Sequence, residues 1–390
     1  MEICKPSLCT GCGMCADLCP KSAVKMKEKE HGFLFPEIDD RCVNCGLCTA
    51  SCPANKEHTK ENTVRKIYAA WNKDKRTKKR STSGGIFSLL AQDIVNNGGL
   101  AAGVKWNEKF ETVFAIAKNT EEIKLFNGSK YLQSKTGNIY RDVKNALNEG
   151  RQVLFSGTPC QVAALKSFLK KDYDNLFTVD IVCHGVPSYG CFEKYLKERK
   201  ATDGKKEVSK VNLRYKNPYW DYCSVRIDYS DGGKYQQFTT DDPYYSLFNV
   251  GYILRESCHS CPYTSMNRQG DITLGDFWCY MPKSFKMRNY NKGVSLVLVN
   301  SEKGEKLYSK VCDRLNFCSE SVAAAKRSNM TLSRPFELPN DELSRFWQDY
   351  DSGITTEKLF KKYVKTPLKV PSLMFLRRLK YKYSWVVKRK

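Results

Sequence analysis

Residues 8–20 read LCTGCGMCADLCP and residues 41–53 read RCVNCGLCTASCP, and these two stretches decide how the chain begins. Cys9, Cys12, Cys15 and Cys19 fall as C-x2-C-x2-C-x3-C before Pro20, and Cys42, Cys45, Cys48 and Cys52 repeat the pattern before Pro53. This is the two-cluster ferredoxin spacing, in which each run gives three thiolates to one cluster and its fourth to the other. By that rule Cys9, Cys12, Cys15 and Cys52 hold one 4Fe–4S cluster, and Cys42, Cys45, Cys48 and Cys19 hold the second. Zinc knuckles share the C-x2-C element, but zinc takes four ligands and has no use for a third cysteine at the same spacing in both runs. A disulfide framework needs an oxidising compartment and a secretory signal. Gly11, Gly13 and Gly46 lie between ligands, where a tight loop needs backbone freedom and amides close to sulfur.

The 390 residues suffice for two or three domains. A hydrophobic content of 41% without a long apolar run describes a globular chain that does not span a bilayer. MEICKPSLC has no apolar core of a signal peptide, so the eighteen cysteines are expected in a reducing cytoplasm, serving metal rather than disulfides. The net charge of +23 calls for an acidic partner such as nucleic acid, an anionic membrane, a phosphate-bearing cofactor or an acidic protein. Twelve Lys or Arg and no Asp or Glu lie between Lys358 and Lys390, so about half of the excess sits at the C-terminal end. No RRM, KH or helix-turn-helix signature accompanies it, which argues against nucleic acid.

The reading divides the chain into a ferredoxin-type dicluster domain at 1–57, the two parts of a mixed α/β domain at 66–150 and 151–335, and a helical basic tail at 336–390. In fold class it is α+β grading into α/β. Residues 54–65 read as a polar linker. From residue 66 strands alternate with helices: strands near 67–71, 100–106, 112–117, 153–155 and 176–182, and helices near 86–95, 139–147 and 161–169. Strand, turn, helix and strand at this spacing make a βαβ unit. Further strands are expected at 211–215, 224–229, 235–238, 271–277 and 294–299, and helices at 244–254 and 303–312. In the tail, Leu373, Phe375, Leu376 and Leu379 alternate with Arg377, Arg378, Lys380 and Lys382, a basic amphipathic pattern suited to an anionic membrane surface or an acidic partner.

A second cysteine set is dispersed. Cys160 opens a helix after a strand, Cys183 ends the next strand, and Cys258 and Cys261 form a C-x2-C before Pro262. In a parallel sheet the carboxyl ends of neighbouring strands gather at one edge, where ligands bind. A third 4Fe–4S cluster, a Cys4 zinc site and buried free cysteines all remain open on spacing alone. The stretches 81–85 (STSGG) and 127–134 (NGSKYLQS) are candidates for holding a dinucleotide, since small residues at a helix N-terminus turn N–H groups toward phosphate. The first also reads simply as a helix cap. Lys130, Tyr131 and Gln133 offer a cation, a ring and an amide suited to a flavin.

STSGGIF, NGSKYLQS, SGTPCQ, CHGVPS, CHSCPY and DITLGDFW, in that order behind the paired cysteine runs, resemble the family of coenzyme F420 hydrogenase/dehydrogenase beta subunits over about residues 1–335. The resemblance implies an FAD-dependent iron–sulfur oxidoreductase. It implies that Ser83, Gly84, Gly85, Ser129, Lys130, Gln133 and Ser134 contact FAD, that Cys160, Cys183, Cys258 and Cys261 hold a cluster near it, and that Thr158 and Pro159 sit by the flavin. His184 is a candidate proton donor there, or a strand-end hydrogen bond; Asp276 and Trp278 are candidates for the pocket wall, and His259 is expected at the surface.

The expected function is a cytoplasmic reductase, peripheral to the inner membrane face if the tail docks there. Electrons pass between clusters and a flavin that exchanges a hydride with a small organic substrate, in surface-polysaccharide biosynthesis or with coenzyme F420. The electron donor is a redox protein or reduced cofactor. The rival is a non-catalytic electron-transfer subunit of a larger redox complex.

Overall fold

The computed structural model describes residues 2–56, 62–204, 207–217, 219–280 and 292–365. Its centre is a mixed sheet of eight strands in the order β15-β4-β14-β13-β8-β7-β5-β6. The strands of the chain are β1 (Val24–Glu28), β2 (Leu34–Ile38), β3 (Asn62–Thr63), β4 (Lys66–Asn72), β5 (Leu100–Trp106), β6 (Thr112–Ala117), β7 (Val153–Gly157), β8 (Leu176–Ile181), β9 (Val208–Tyr215), β10 (Ser224–Tyr229), β11 (Lys234–Phe238), β12 (Asn267–Arg268), β13 (Ile272–Asp276), β14 (Ser295–Val299) and β15 (Leu315–Ser319). The four neighbours β5, β7, β8 and β13 run parallel, and antiparallel strands flank them on both sides. Parallel strands are covered on both faces, so they read as continuous apolar runs: Val153, Leu154 and Phe155 are all fully buried.

Alternate residues of these strands feed opposite faces. Ala101, Leu154 and Val179 pack beneath the helix Ile86–Asn96, together with Leu307 and Tyr308 of the helix Glu302–Ser309. Ala102, Val153 and Phe155 pack against the helices Ile139–Asn148 and Pro159–Leu169. A separate antiparallel sheet, β11-β10-β9, carries its own apolar cluster with Tyr195, Tyr244 and Phe248.

The ferredoxin-type segment contributes the hairpin β1–β2 and two short helices, Met14–Leu18 and Leu47–Ala50, each carrying the third cysteine of its run. It is set into the rest of the chain. Met14 enters the core beneath the helix Ile139–Asn148. Tyr140 Oη donates to Cys12 O at 2.7 Å, Arg141 N donates to Asp17 Oδ2 at 3.0 Å, and Ser167 Oγ donates to Ser51 O at 2.6 Å. His31 stacks on Trp347 with ring centroids 3.9 Å apart.

The sequence reading missed the helices Lys75–Arg80 and Tyr189–Asp203 and the small pair β3–β12. The short helix is a run of basic residues with no apolar face, anchored by the Asp74 side chain, which accepts from Arg76 N and Thr77 N. The expected tail also divides differently. The helices Asn340–Asp351 and Thr356–Tyr363 pack into the β9–β11 cluster through Phe346 and Leu359, which are buried, so this part is no solvated appendage. The basic amphipathic stretch from Leu373 to Lys382 lies outside the described residues. Among the described residues no helix is long and apolar enough to cross a membrane.

Candidate functional site

The carboxyl ends of β7, β8 and β13 open into a cavity of about 480 Å³. This is the crevice in which open α/β sheets bind ligands, and its size is that of an ordinary small-molecule site. Its floor is Ser156–Thr158, Ile181–Pro187 and Leu274–Asp276, and its walls come from residues 81–83, 85–88, 126–132, 134 and 328–331.

Four cysteines stand near one another here, and Cys183 alone of them lines the cavity. β7 ends at Gly157, and Thr158 starts the helix Pro159–Leu169 with a capping box in which Gln161 Oε1 accepts from Thr158 N at 2.9 Å. Cys160 therefore sits in the first helical turn, its Sγ 3.0 Å from Thr158 Oγ1. Cys183 follows β8. Cys258 lies on the short helix Glu256–His259, and its sulfur accepts from Val186 N at 3.4 Å. Burial raises all four thiols, and each of Cys183, Cys258 and Cys261 is raised further by the charge of Cys160 or of one another; Cys258 stands at about 12 and Cys261 at about 11. Buried thiols that oppose one another's ionisation stay protonated when free, whereas a metal centre deprotonates the thiols that bind it. Among the described residues no three His, Cys, Asp or Glu side chains converge as tightly as a single metal ion needs. This holds for the ferredoxin runs as well, since the thiolates of a four-iron cluster stand farther apart than those on one ion.

The ferredoxin-type cysteines divide by depth. Cys9, Cys12, Cys15 and Cys52 surround an internal pocket beneath Met26 and Pro36. Of the other set, Cys45 is exposed, with Val43 and Leu47 exposed beside it. Burial raises Cys12 to about 12, and the charge of Cys160 pushes in the same direction. Thr10, next to Cys9, hydrogen-bonds the Cys160 side chain. The inner ferredoxin set thus abuts the strand-end set. Cys4, which the sequence reading passed over, lies within hydrogen-bond reach of both Cys9 and Cys52, and that contact is the largest cause lowering those two thiols.

The opposite wall carries an uncapped helix start and one buried lysine, Lys130. Gly85, at φ +81°, turns the chain into the helix Ile86–Asn96; no side chain caps that helix, and its first residues line the cavity. Ser83 Oγ donates to Val294 O at 2.6 Å and Gly84 N donates to Ser295 Oγ at 2.9 Å. A Cβ at Gly84 would stand 2.5 Å from Ala70 O, which explains the glycine. Ser129 N donates to Thr82 Oγ1 at 2.7 Å, tying the two candidate loops together. Lys130 is buried and donates to the carbonyls of Phe126 and Gly128; Lys216, just past β9, donates to Lys78 O and Ser83 O. Burial lowers Lys78, Lys130 and Lys216 each to about 7. Tyr131, Phe248 and Trp278 supply rings. Asp276 accepts from Arg214 Nη1 at 3.0 Å and from Trp220 Nε1 at 2.9 Å.

Several candidates stand elsewhere or do other work. Gln133 is turned away from the cavity: its Nε2 donates to Gly11 O at 3.2 Å and its Oε1 accepts from Leu34 N at 3.2 Å, joining the ferredoxin segment to the body. Pro159 fills the first helical position, where its missing N–H costs nothing. His184 lines the cavity, but its Nε2 donates to Phe248 O at 3.2 Å and its ring packs edge-on to Phe248 and Phe336. Burial lowers its pKa, and the hydrogen bond to Phe248 O is the contact its ring makes here. His259 is half-buried rather than at the surface, with Nδ1 2.8 Å from Phe336 O. Arg214, Lys216 and Arg255 were not anticipated. No local pattern marks them, because each acts on residues distant in sequence.

The fold and the paired cysteine runs define an iron–sulfur electron-transfer protein. Residues 8–56 match the 4Fe-4S dicluster domain, and residues 150–323 match the family described as the C terminus of the coenzyme F420 hydrogenase/dehydrogenase beta subunit. The chain is thus a relative of the F420 hydrogenase/dehydrogenase beta subunits with a dicluster domain at its N-terminus. It is similar to the F component of the F(420)H(2) dehydrogenase of Methanosarcina mazei, at 22% identity over 82% of this chain and 86% of that one. It is also similar to an uncharacterised protein of Methanocaldococcus jannaschii, at 25% identity over 60% of this chain and 59% of that one. A chain of the F420-reducing NiFe hydrogenase complex from Methanosarcina barkeri is similar at 17% identity with a TM-score of 0.48, covering 72% of this chain and 92% of that chain.

Proposed function

We propose that this chain is an electron-transfer subunit whose three iron–sulfur centres connect a redox partner at the surface to a flavin in the strand-end cavity. The observation that carries the reading is the unbroken succession of thiols. It runs from exposed Cys45, through the pocket of Cys9, Cys12, Cys15 and Cys52, across Thr10 to Cys160, and on to Cys183 in the cavity floor. Cys42, Cys45, Cys48 and Cys19 would hold the outer cluster, Cys9, Cys12, Cys15 and Cys52 the inner one, and Cys160, Cys183, Cys258 and Cys261 the third.

The donor set of the opposite wall fits FAD. The uncapped helix start at Gly85 and the Ser134 side would offer donors to a diphosphate, and Ser83 and Ser129 brace the two loops around it through their own hydrogen bonds. Lys130 is the buried cation in the wall, and Tyr131 and Trp278 supply rings beside the space. A bound flavin would supply the exchange between single electrons and a hydride. The protein's own part is to exclude water, orient the ring near Cys183 and balance its phosphate charge. The second reading, a stand-alone oxidoreductase with its own organic substrate or F420, draws on Ile181 and Met330, exposed apolar side chains that line the cavity.

The test is anaerobic reconstitution of the full chain. About twelve irons per chain, falling by four in Cys258→Ser while the N-terminal clusters keep their spectra, is the expected result, with FAD released on denaturation. About eight irons in the wild type, unchanged in that variant, refutes the third centre, and a chain that binds no flavin refutes the cavity's role. Substrate turnover by the isolated chain would favour the second reading.

A further inference from the structure

Among the described residues three arginines are nine-tenths or more buried: Arg214, Arg255 and Arg268. Burying a guanidinium is costly unless an anion compensates it. Arg214 faces Asp276 at 3.0 Å and Arg268 faces Asp180 at 3.4 Å. Arg255, 1% exposed, has no carboxylate partner among the described residues. Its Nε donates to Cys9 O at 2.5 Å, its Nη1 lies 3.3 Å from Gln133 Oε1, and its Nη2 is buried without any partner. Its guanidinium stacks over Phe35 at 4.1 Å from the ring centroid.

What surrounds it instead is thiol. The charge of Arg255 acts on Cys9 of the inner ferredoxin set and on Cys258 of the strand-end set. The cysteine loop is shaped to admit it. Gly11 takes φ +65°, and a Cβ there would stand 2.8 Å from Arg255 Nη1 and 2.0 Å from Gln133 Nε2. Ser257 Oγ adds a second hydrogen bond to Cys9 O at 3.0 Å.

We infer that Arg255 is a positioning residue for electron transfer, a buried cation whose counter-ions are the inner ferredoxin cluster and the third centre. A cluster held by four thiolates is anionic, and one unit more so when reduced. A fixed positive charge in a water-free site therefore favours the reduced form and raises the reduction potential. Set between two centres, it draws the electron inward from the exposed outer cluster. The third centre rests on the function proposed above, but the inner cluster does not: a chain holding only two clusters still places Arg255 against Cys9, and the iron count separates the two cases.

The experiment is an anaerobic redox titration of the loaded full chain, followed by electron paramagnetic resonance, with the outer cluster identified through Cys45→Ser. In Arg255→Met the reduced-to-oxidised ratio of the inner cluster at fixed potential falls at least tenfold, about 59 mV, while the outer cluster stays in place. An unmoved inner cluster, or an equal shift of every cluster, overturns the inference. Should Arg255→Met fail to take up iron, Arg255→Lys decides. A loaded protein within threefold of the wild-type ratio supports the charge, and a tenfold fall overturns it in favour of the guanidinium's hydrogen bonds alone.

Discussion

Gly13 and Gly46 occupy the same place in the two cysteine runs, each the N-cap of the short helix that carries the third ligand, with φ of +73° and +71°. Their surroundings differ. A Cβ at Gly46 meets nothing within 4 Å, whereas one at Gly13 stands 2.0 Å from Thr136 Oγ1 and 3.3 Å from Thr136 Cβ. Alanine at either place bears the left-handed strain of about 1–2 kcal/mol. Only Gly13→Ala must also displace Thr136, which is buried, or lift the ferredoxin segment from the 134–138 loop, and overpacking of that kind adds about 1–3 kcal/mol. The backbone strain is common to the two variants and cancels between them. The difference therefore reads the docking of the segment. Anaerobic thermal unfolding at a matched scan rate, followed by loss of the visible iron–sulfur absorption, should put Gly13→Ala about 1–4 °C below Gly46→Ala. Adding Thr136→Ala should recover most of that gap, as neighbours in contact couple. Equal midpoints for the two glycine variants, or no recovery in the double variant, would refute the docking described here.

Two further outcomes follow from the buried charges. Arg268→Met should destabilise the protein by about 3–5 kcal/mol by leaving Asp180 buried and unpaired, and Asp180→Asn in the same chain should restore part of the loss; both are read as thermal midpoints. Lys130 and Lys216, lowered to about 7 by burial, are mostly neutral at pH 8. An anion arriving beside them raises their pKa, so FAD or ADP should bind with net proton uptake at pH 8 and with almost none at pH 6, where both lysines are already charged. Titration calorimetry in buffers of different ionisation enthalpy measures this, and uptake that is absent at pH 8 would remove the lysines from the anion site.

The cysteine runs were legible because cluster ligation is written in short spacings. The parallel strands were legible because burial on both faces leaves continuous apolar runs such as residues 153–155. The loops 81–85 and 127–134 read as one site only through motif likeness, since what joins them, Ser129 on Thr82, spans 47 residues. Gln133 shows the limit of such reasoning. It sits in the right loop, but its amide is turned toward Gly11 and Leu34 instead of the cavity.

The sequence by itself determined the ligand chemistry of the N-terminal segment, the α/β alternation and the candidate strand-end cysteines, because each depends on local period or spacing. Only the tertiary structure decided that the ferredoxin segment is embedded, that the strand-end thiols stand against its inner cysteine set, and that Arg255 lies between them with no carboxylate. These depend on long-range contacts, such as Gln133 with Gly11 and Arg255 with Cys9, 122 and 246 positions apart. Such contacts are fixed by packing and by the compensation of buried charge, and neither leaves a local pattern in the chain.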